Sequence, residues 1–148
     1  MKAKIISINI SKKKGTAKDP VPKAKFIVDF GIEGDAHAGP GDRQVSLLAI
    51  ESYEKFKKER GDEHCLKHGA FGENIITRGV ELHKLPLGTK VKSGTVLLEL
   101  SKIGKECHMP CAIGKKAGKC IMPTEGIFAR VLKGGTLHVG DEIHAEKI

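Results

Sequence analysis

Tryptophan is absent from the chain and tyrosine occurs once, as Tyr53. Five phenylalanines complete the aromatic set, so flat side chains on which the bases of a single strand could stack are scarce. No apolar run approaches the ~18 residues that a membrane helix needs. The opening MKAKIISINISKKKG has neither a long apolar segment nor a small-residue cleavage site, and no signal peptide is expected. Cysteine is sparse too. Of the four residues, three are clustered and one stands apart, which is not the pattern of a secreted disulfide framework. The expectation is a cytoplasmic protein with no membrane partner.

What is present suits a single domain over residues 1–148. A chain of this length buries roughly 68–70% of its unfolded surface, enough for a core without staples. The net charge of +8 is uneven. Residues 1–25 hold eight lysines (Lys2, Lys4, Lys12, Lys13, Lys14, Lys18, Lys23 and Lys25) against Asp19 alone, and the remainder is close to neutral. A second basic patch, Lys102, Lys105, Lys115, Lys116 and Lys119, surrounds the cysteine cluster. Local basic patches on a near-neutral body suit a compact anion such as a phosphate. They also suit weak nucleic-acid binding, and the SKKKG run reads most simply as a solvated loop.

KAKIISINI alternates and reads as a strand from about Lys2 to Ile10. SKKKGTAKDPVP follows as a loop broken by Gly15, Pro20 and Pro22. AKFIVDF and RQVSLLAI read as strands, and IESYEKFKKER as a helix with Ile50, Tyr53 and Phe56 at helical spacing and Gly61 as its stop. GENIITRGV, LPLGTKVKSGTVLLEL, GIFARVLKGG and GTLHVGDEIHAEKI supply the remaining short strands, with a tight turn at Val139-Gly140-Asp141. About eight strands in succession, with turn residues every ~8–12 positions, predict a mainly β fold: an antiparallel β-barrel-like domain with a few short helices.

Two glycine-rich loops could approach a ligand. GIEGDAHAG, residues 31–39, spaces Glu33, Asp35 and His37 two apart. On an extended strand they would share one face and could hold a metal. The glycines favour instead a loop whose backbone nears a ligand, with Asp35 orienting Arg43 or His37; a long turn with self-capping acids is the simpler alternative. GAFGENI, residues 69–75, offers Asn74, whose amide can present donors and an acceptor to a ring edge; a turn entering a strand is the equal alternative. His64 and His68 flank Cys65 four apart and read as solvent-facing.

The stretch ECHMPCAIGKKAGKC, residues 106–120, carries three thiols in fourteen residues. Structural zinc wants four ligands in close pairs. Cys107 and Cys111 form one such pair, Cys120 stands alone, and Cys65 or a distant histidine would have to complete the set. A thiol exchange pair would use C-x-x-C in a βαβ setting, whereas the spacing here is C-x-x-x-C among strands. The third reading is one reactive thiolate. His108 precedes Cys111, and Lys115 and Lys116 follow it at four and five residues, so cations could depress its pKa. Pro110 stiffens the chain before it. Such a thiolate could carry a sulfane sulfur or ligate a soft metal, while the lysines and Arg43 meet an anionic phosphate.

GIEGDAHAG, RQVSLL, GAFGENI, GKECHMPCAI, GKCIMPTEGIFARVLKGG and VGDEI, in this order, resemble the MOSC domain, named after the C-terminal part of molybdenum cofactor sulfurases. The similarity is greatest to its small stand-alone bacterial members. It implies a β-barrel and an association with the molybdenum cofactor, a pterin (molybdopterin) carrying a phosphate and a dithiolene-bound metal. It implies that Cys111, with Cys107 as companion, is the thiol that ligates the metal or carries persulfide sulfur. It also implies that Arg43 and the loops around Asp35, His37 and Asn74 line the pocket, with Lys115 and Lys116 toward the phosphate. If the protein is an enzyme, the resemblance points to sulfur transfer to the cofactor or to molybdenum-dependent reduction of N-hydroxylated compounds. No pyridoxal phosphate is expected, because 148 residues leave no room for a desulfurase part. Sulfur would come from a partner desulfurase and pass to an acceptor molybdoenzyme. Two other readings stand beside this one: a non-enzymatic basic β-barrel that binds nucleic acid or a protein partner, and a structural zinc protein.

Overall fold

A computed structural model of the chain describes residues 1–13, 17–60, 68–69, 72–103 and 126–146. The strands are β1 (Lys2–Ile10), β2 (Asp19–Val21), β3 (Lys23–Ile27), β4 (Gly31–Ile32), β5 (Val45–Ala49), β6 (Ile75–Arg78), β7 (Lys90–Ser93), β8 (Val96–Ile103), β9 (Ile127–Lys133), β10 (Gly135–His138) and β11 (Glu142–Ala145). Among the described residues the α-helix α1 (Ile50–Arg60) lies between β5 and β6 in the chain, and a 3-10 turn covers Leu82–Lys84.

Seven strands form a closed ring in the order β11, β7, β8, β9, β5, β6, β1, with β1 pairing back to β11 through Ala3 and Ile143. Closure removes the exposed edges that an open sheet would present. The expected mainly antiparallel barrel is therefore the observed fold. Among the described residues its one parallel contact is β5 against β6, and α1 lies in the crossover that a parallel pair requires. β2 extends the ring as an edge strand on β1, where Pro20 does no harm by lacking an N–H. β10, β3 and β4 make a second, three-stranded sheet.

Alternation explains most of the strands. β7 and β11 read exposed-buried-exposed-buried, with Lys90 and Lys92 outward and Val91 inward. β5, VSLLA, is buried throughout. β1 carries a register shift between Ile5 and Ser7; this bulge lets both Ile5 and Ile8 reach the core despite their odd spacing. Phe26 from the small sheet packs into the same cluster as Leu47, Ile75, Leu98, Leu100 and Ile127. Each such buried side chain contributes about 1.5–3 kcal/mol.

The short β2 and β4 fall in segments expected to be loops. AKFIVDF stops being a strand at Ile27, because the chain turns over residues 28–30, with Asp29 at φ 52°. The Val139-Gly140-Asp141 turn forms as expected, with Gly140 at φ 99° and Asp141 Oδ2 accepting the His138 N–H at 2.8 Å.

Candidate functional site

The end of β1 delivers Ser11, and the loop behind it delivers Lys18. The glycine loop 31–39 brings Asp35 and His37 to the same place, and the turn before β6 brings Glu73 and Asn74. Lys18 and Asp35 have no exposed side-chain surface, and Lys18 Nζ lies 2.7 Å from Asp35 Oδ1. The same ammonium donates to Ser11 Oγ at 3.1 Å and stands 3.0 Å from His37 Nδ1. Asp35 also accepts the backbone N–H of Ser11 on Oδ1 (3.1 Å) and that of His37 on Oδ2 (3.2 Å). Burial pushes the Asp35 carboxyl up and is the largest single influence. The Lys18 hydrogen bond and charge, the Ser11 N–H and the Asn74 side chain outweigh it together and hold the group below its ordinary value.

Asp35 orients His37, one of the two partners expected for it, and not Arg43. The guanidinium of Arg43 sits over the Phe128 ring, 5.7 Å from its centroid, at the far end of the glycine loop. Glu33 is exposed while Asp35 is buried. The two do not share a face, which removes the extended metal face that their spacing allowed. Among the described residues no group of three or more His, Cys, Asp or Glu side chains could hold a metal ion.

Asn74 is fully buried and its amide works inside the protein. Its Oδ1 accepts the Ser46 N–H (2.9 Å) and hydroxyl (3.1 Å), and its Nδ2 donates to the Asn9 carbonyl (3.0 Å). Asn74 ties β1 to β5 at the base of the site, in a turn that enters β6, the alternative reading of this segment. Beside it, buried Glu73 accepts the Tyr53 hydroxyl and the Gly69 N–H, the latter at 3.2 Å. The Tyr53 ring meets His68 edge-on, with centroids 5.9 Å apart. His68 is therefore partly covered and not simply solvent-facing.

Two contacts place the Arg43 end of the loop beside the strands that bracket the cysteine stretch. Ser101 of β8 donates its hydroxyl to the Asp42 carbonyl, and Phe128 of β9 carries Arg43. Ile103 and Ile127, the last and first strand residues on either side of 104–125, are paired. Cys107, Cys111, Lys115, Lys116, Cys120 and Cys65 themselves lie outside the described residues.

A model of the MOSC domain matches residues 33–144, well over half of the chain. The chain belongs to the MOSC domain family. Solved structures share this fold. YuaD from Bacillus subtilis is 19% identical with a TM-score of 0.79, covering 100% of this chain and 97% of its own. YiiM from Geobacillus stearothermophilus is 22% identical with a TM-score of 0.74, covering 98% and 75%. YiiM from Escherichia coli is 18% identical with a TM-score of 0.73, covering 100% and 71%. At these identities the likeness is one of fold. No protein of curated function matches the sequence.

Within this MOSC barrel the residue that sequence reading missed is Lys18. It is one lysine of eight in a basic N-terminal segment, and nothing local marks it as buried. The usable signal is indirect: a buried Asp35 requires a cation, and Lys18 is the one that the fold brings to it.

Proposed function

We propose that this MOSC protein binds the molybdenum cofactor and that Cys111 acts there as metal ligand or persulfide carrier. The observation that carries the proposal is the position of Arg43. A half-buried guanidinium closes the glycine loop and rests on Phe128, against the two strands from which the Cys107–Cys111 segment departs and to which it returns.

The donor set fits a phosphate-bearing pterin. Arg43 can meet a phosphate with a planar fork of N–H groups. At Gly34, Gly39 and Gly41 a side chain would meet nothing within 4 Å, so bare backbone lines an open space that a flat ligand can approach. Lys115 and Lys116 would add charge on the phosphate side, and Cys107 would be the companion thiol. When bound, the cofactor supplies the metal or the sulfur acceptor. The chain supplies the thiolate, the cation and the rim. A separate desulfurase would donate the sulfur, and a molybdoenzyme would receive the product.

The test is expression in a host that makes the cofactor, followed by measurement of molybdenum, released pterin and sulfane sulfur on the purified protein. Cys111→Ser should lose metal or sulfane sulfur while Cys65→Ser keeps it. Equal loss from both variants would refute the assignment.

A further inference from the structure

We infer that Gln44 is a positioning residue for Arg43: its buried amide takes the place that Arg43 would hold in the sheet, and so leaves the guanidinium to stand over Phe128 at the rim of the glycine loop. This role rests on the reading of Arg43 as the cation that meets a phosphate.

β5 and β9 pair antiparallel from Leu47 opposite Ile127 to Val45 opposite Ala129. Continued by two residues, that register would set Arg43 opposite Val131 and draw its backbone into the ladder. The structure ends the ladder instead. The Val131 N–H donates to Gln44 Oε1 at 2.9 Å, and the Val131 carbonyl accepts the Asp29 N–H at 2.9 Å. Gln44 Nε2 donates to Asp29 Oδ1 at 2.8 Å and closes the ring of three residues. Val131 is buried, so both of its backbone groups need partners. The side chain of Gln44 and the backbone of Asp29 supply them in place of Arg43.

The segment is held on both sides of Arg43. Gln44 has no exposed surface, whereas Asp29 reaches solvent at φ 52°, a left-handed conformation that aspartate tolerates. The Gln44 carbonyl lies against Gly31, where φ is 126° and a Cβ would stand 2.5 Å from the oxygen. Before Arg43, the Asp42 carbonyl accepts the Ser101 hydroxyl. Arg43 thus stands between two anchored neighbours, with its guanidinium 5.7 Å from the Phe128 ring centroid. A cation on an anchored backbone presents its N–H fork over a narrow range of positions, which lowers the cost of ordering it on a phosphate.

The experiment combines nuclear Overhauser contacts between the Arg43 side chain and the Phe128 ring with a titration by inorganic phosphate. Both are read on the Arg43 side-chain signals, assigned by their loss in Arg43→Gln. Gln44→Leu removes both amide hydrogen bonds without changing the charge. It should lose the Arg43–Phe128 contacts and bind phosphate about tenfold more weakly, the equivalent of one charge-assisted hydrogen bond. Gln44→Glu/Asp29→Asn exchanges donor and acceptor at the same net charge and should restore both. A role in stability alone would leave contacts and affinity in place wherever the variants are folded. Wild-type contacts in folded Gln44→Leu would overturn the inference, as would a double variant that regains stability but not the contacts. If Gln44→Leu does not fold, Asp29→Gly decides. It keeps the backbone angle without strain, removes only the outer hydrogen bond and makes the net charge more positive. Fewer contacts with weaker phosphate binding support the inference, and unchanged contacts overturn it. Failure of phosphate to shift Arg43 in the wild type would sink the phosphate reading of Arg43, while the contacts with Phe128 would still decide the role of Gln44.

Discussion

Lys18 Nζ and Asp35 Oδ1 are 2.7 Å apart, and neither side chain has any surface in contact with solvent. The pair joins the segment after β1 to the glycine loop. Its geometry is good, and Ser11 and the His37 backbone take up the rest of the carboxylate. That is the condition under which buried charges cease to be a liability.

Removing one partner strands the other. Asp35→Asn or Lys18→Met alone should cost about 3–5 kcal/mol, read as a lowered midpoint in urea unfolding with the slope unchanged. The double variant Lys18→Met/Asp35→Leu should cost clearly less than the sum of the two singles, because no lone charge remains. Strict additivity would show that the pair is not coupled as the distance implies.

Acid should remove the same contribution. The folded Asp35 carboxyl lies below its ordinary value of 3.8, so the folded state binds fewer protons than the unfolded state as that range is approached from above. Its contribution is complete above about pH 4 and is lost as the pH falls through the lower folded value. Denaturation midpoints measured from pH 7 down to pH 2 should fall more steeply below pH 4 for the wild type than for Lys18→Met/Asp35→Leu. Parallel curves would count against it.

The barrel was legible because its signals are local. Alternation in KAKIISINI and KVKS, a helical pattern in IESYEKF and glycine turns set the element types. What escaped is long-range. Whether Asp35 faces solvent or core depends on which loop lies over it, and Lys18 does not differ by composition from Lys12 or Lys13, both of which are exposed. The partners of Asn74 were hidden for the same reason: an amide's inventory of donors says what it can bond to, and only the fold brings the backbone of Asn9 and Ser46 to it. β2 and β4 were missed because strands of three and two residues carry too few positions to show a period.

Gly69 and Gly34 adopt nearly the same backbone angle, φ 89° and φ 85°, in different surroundings. A Cβ at Gly69 would stand 2.2 Å from the Lys18 carbonyl oxygen, whereas one at Gly34 would meet nothing within 4 Å. Gly34→Ala should cost only the conformational term, about 1 kcal/mol. Gly69→Ala adds a backbone collision, and the Lys18 N–H to Gly69 carbonyl bond of 2.8 Å lies in the same contact. It should cost at least about 2 kcal/mol more. Thermal unfolding of the two variants side by side isolates that difference, and equal losses would show that the Lys18 segment can move away freely.

Arg43 separates binding from stability. Its contact with Phe128 is worth about 0.5–1 kcal/mol where solvent reaches it, and the barrel core does not depend on it. A charge-assisted hydrogen bond to a phosphate is worth about 1.5–3 kcal/mol, which corresponds to roughly ten- to a hundredfold in retention. Arg43→Gln should therefore unfold within about 1 kcal/mol of the wild type but retain far less molybdenum and pterin after gel filtration. Phe128→Leu should show a milder version of the same split, because the guanidinium stays while its platform is lost. Wild-type retention by Arg43→Gln would move the phosphate away from Arg43 and leave that role to the lysines behind Cys111.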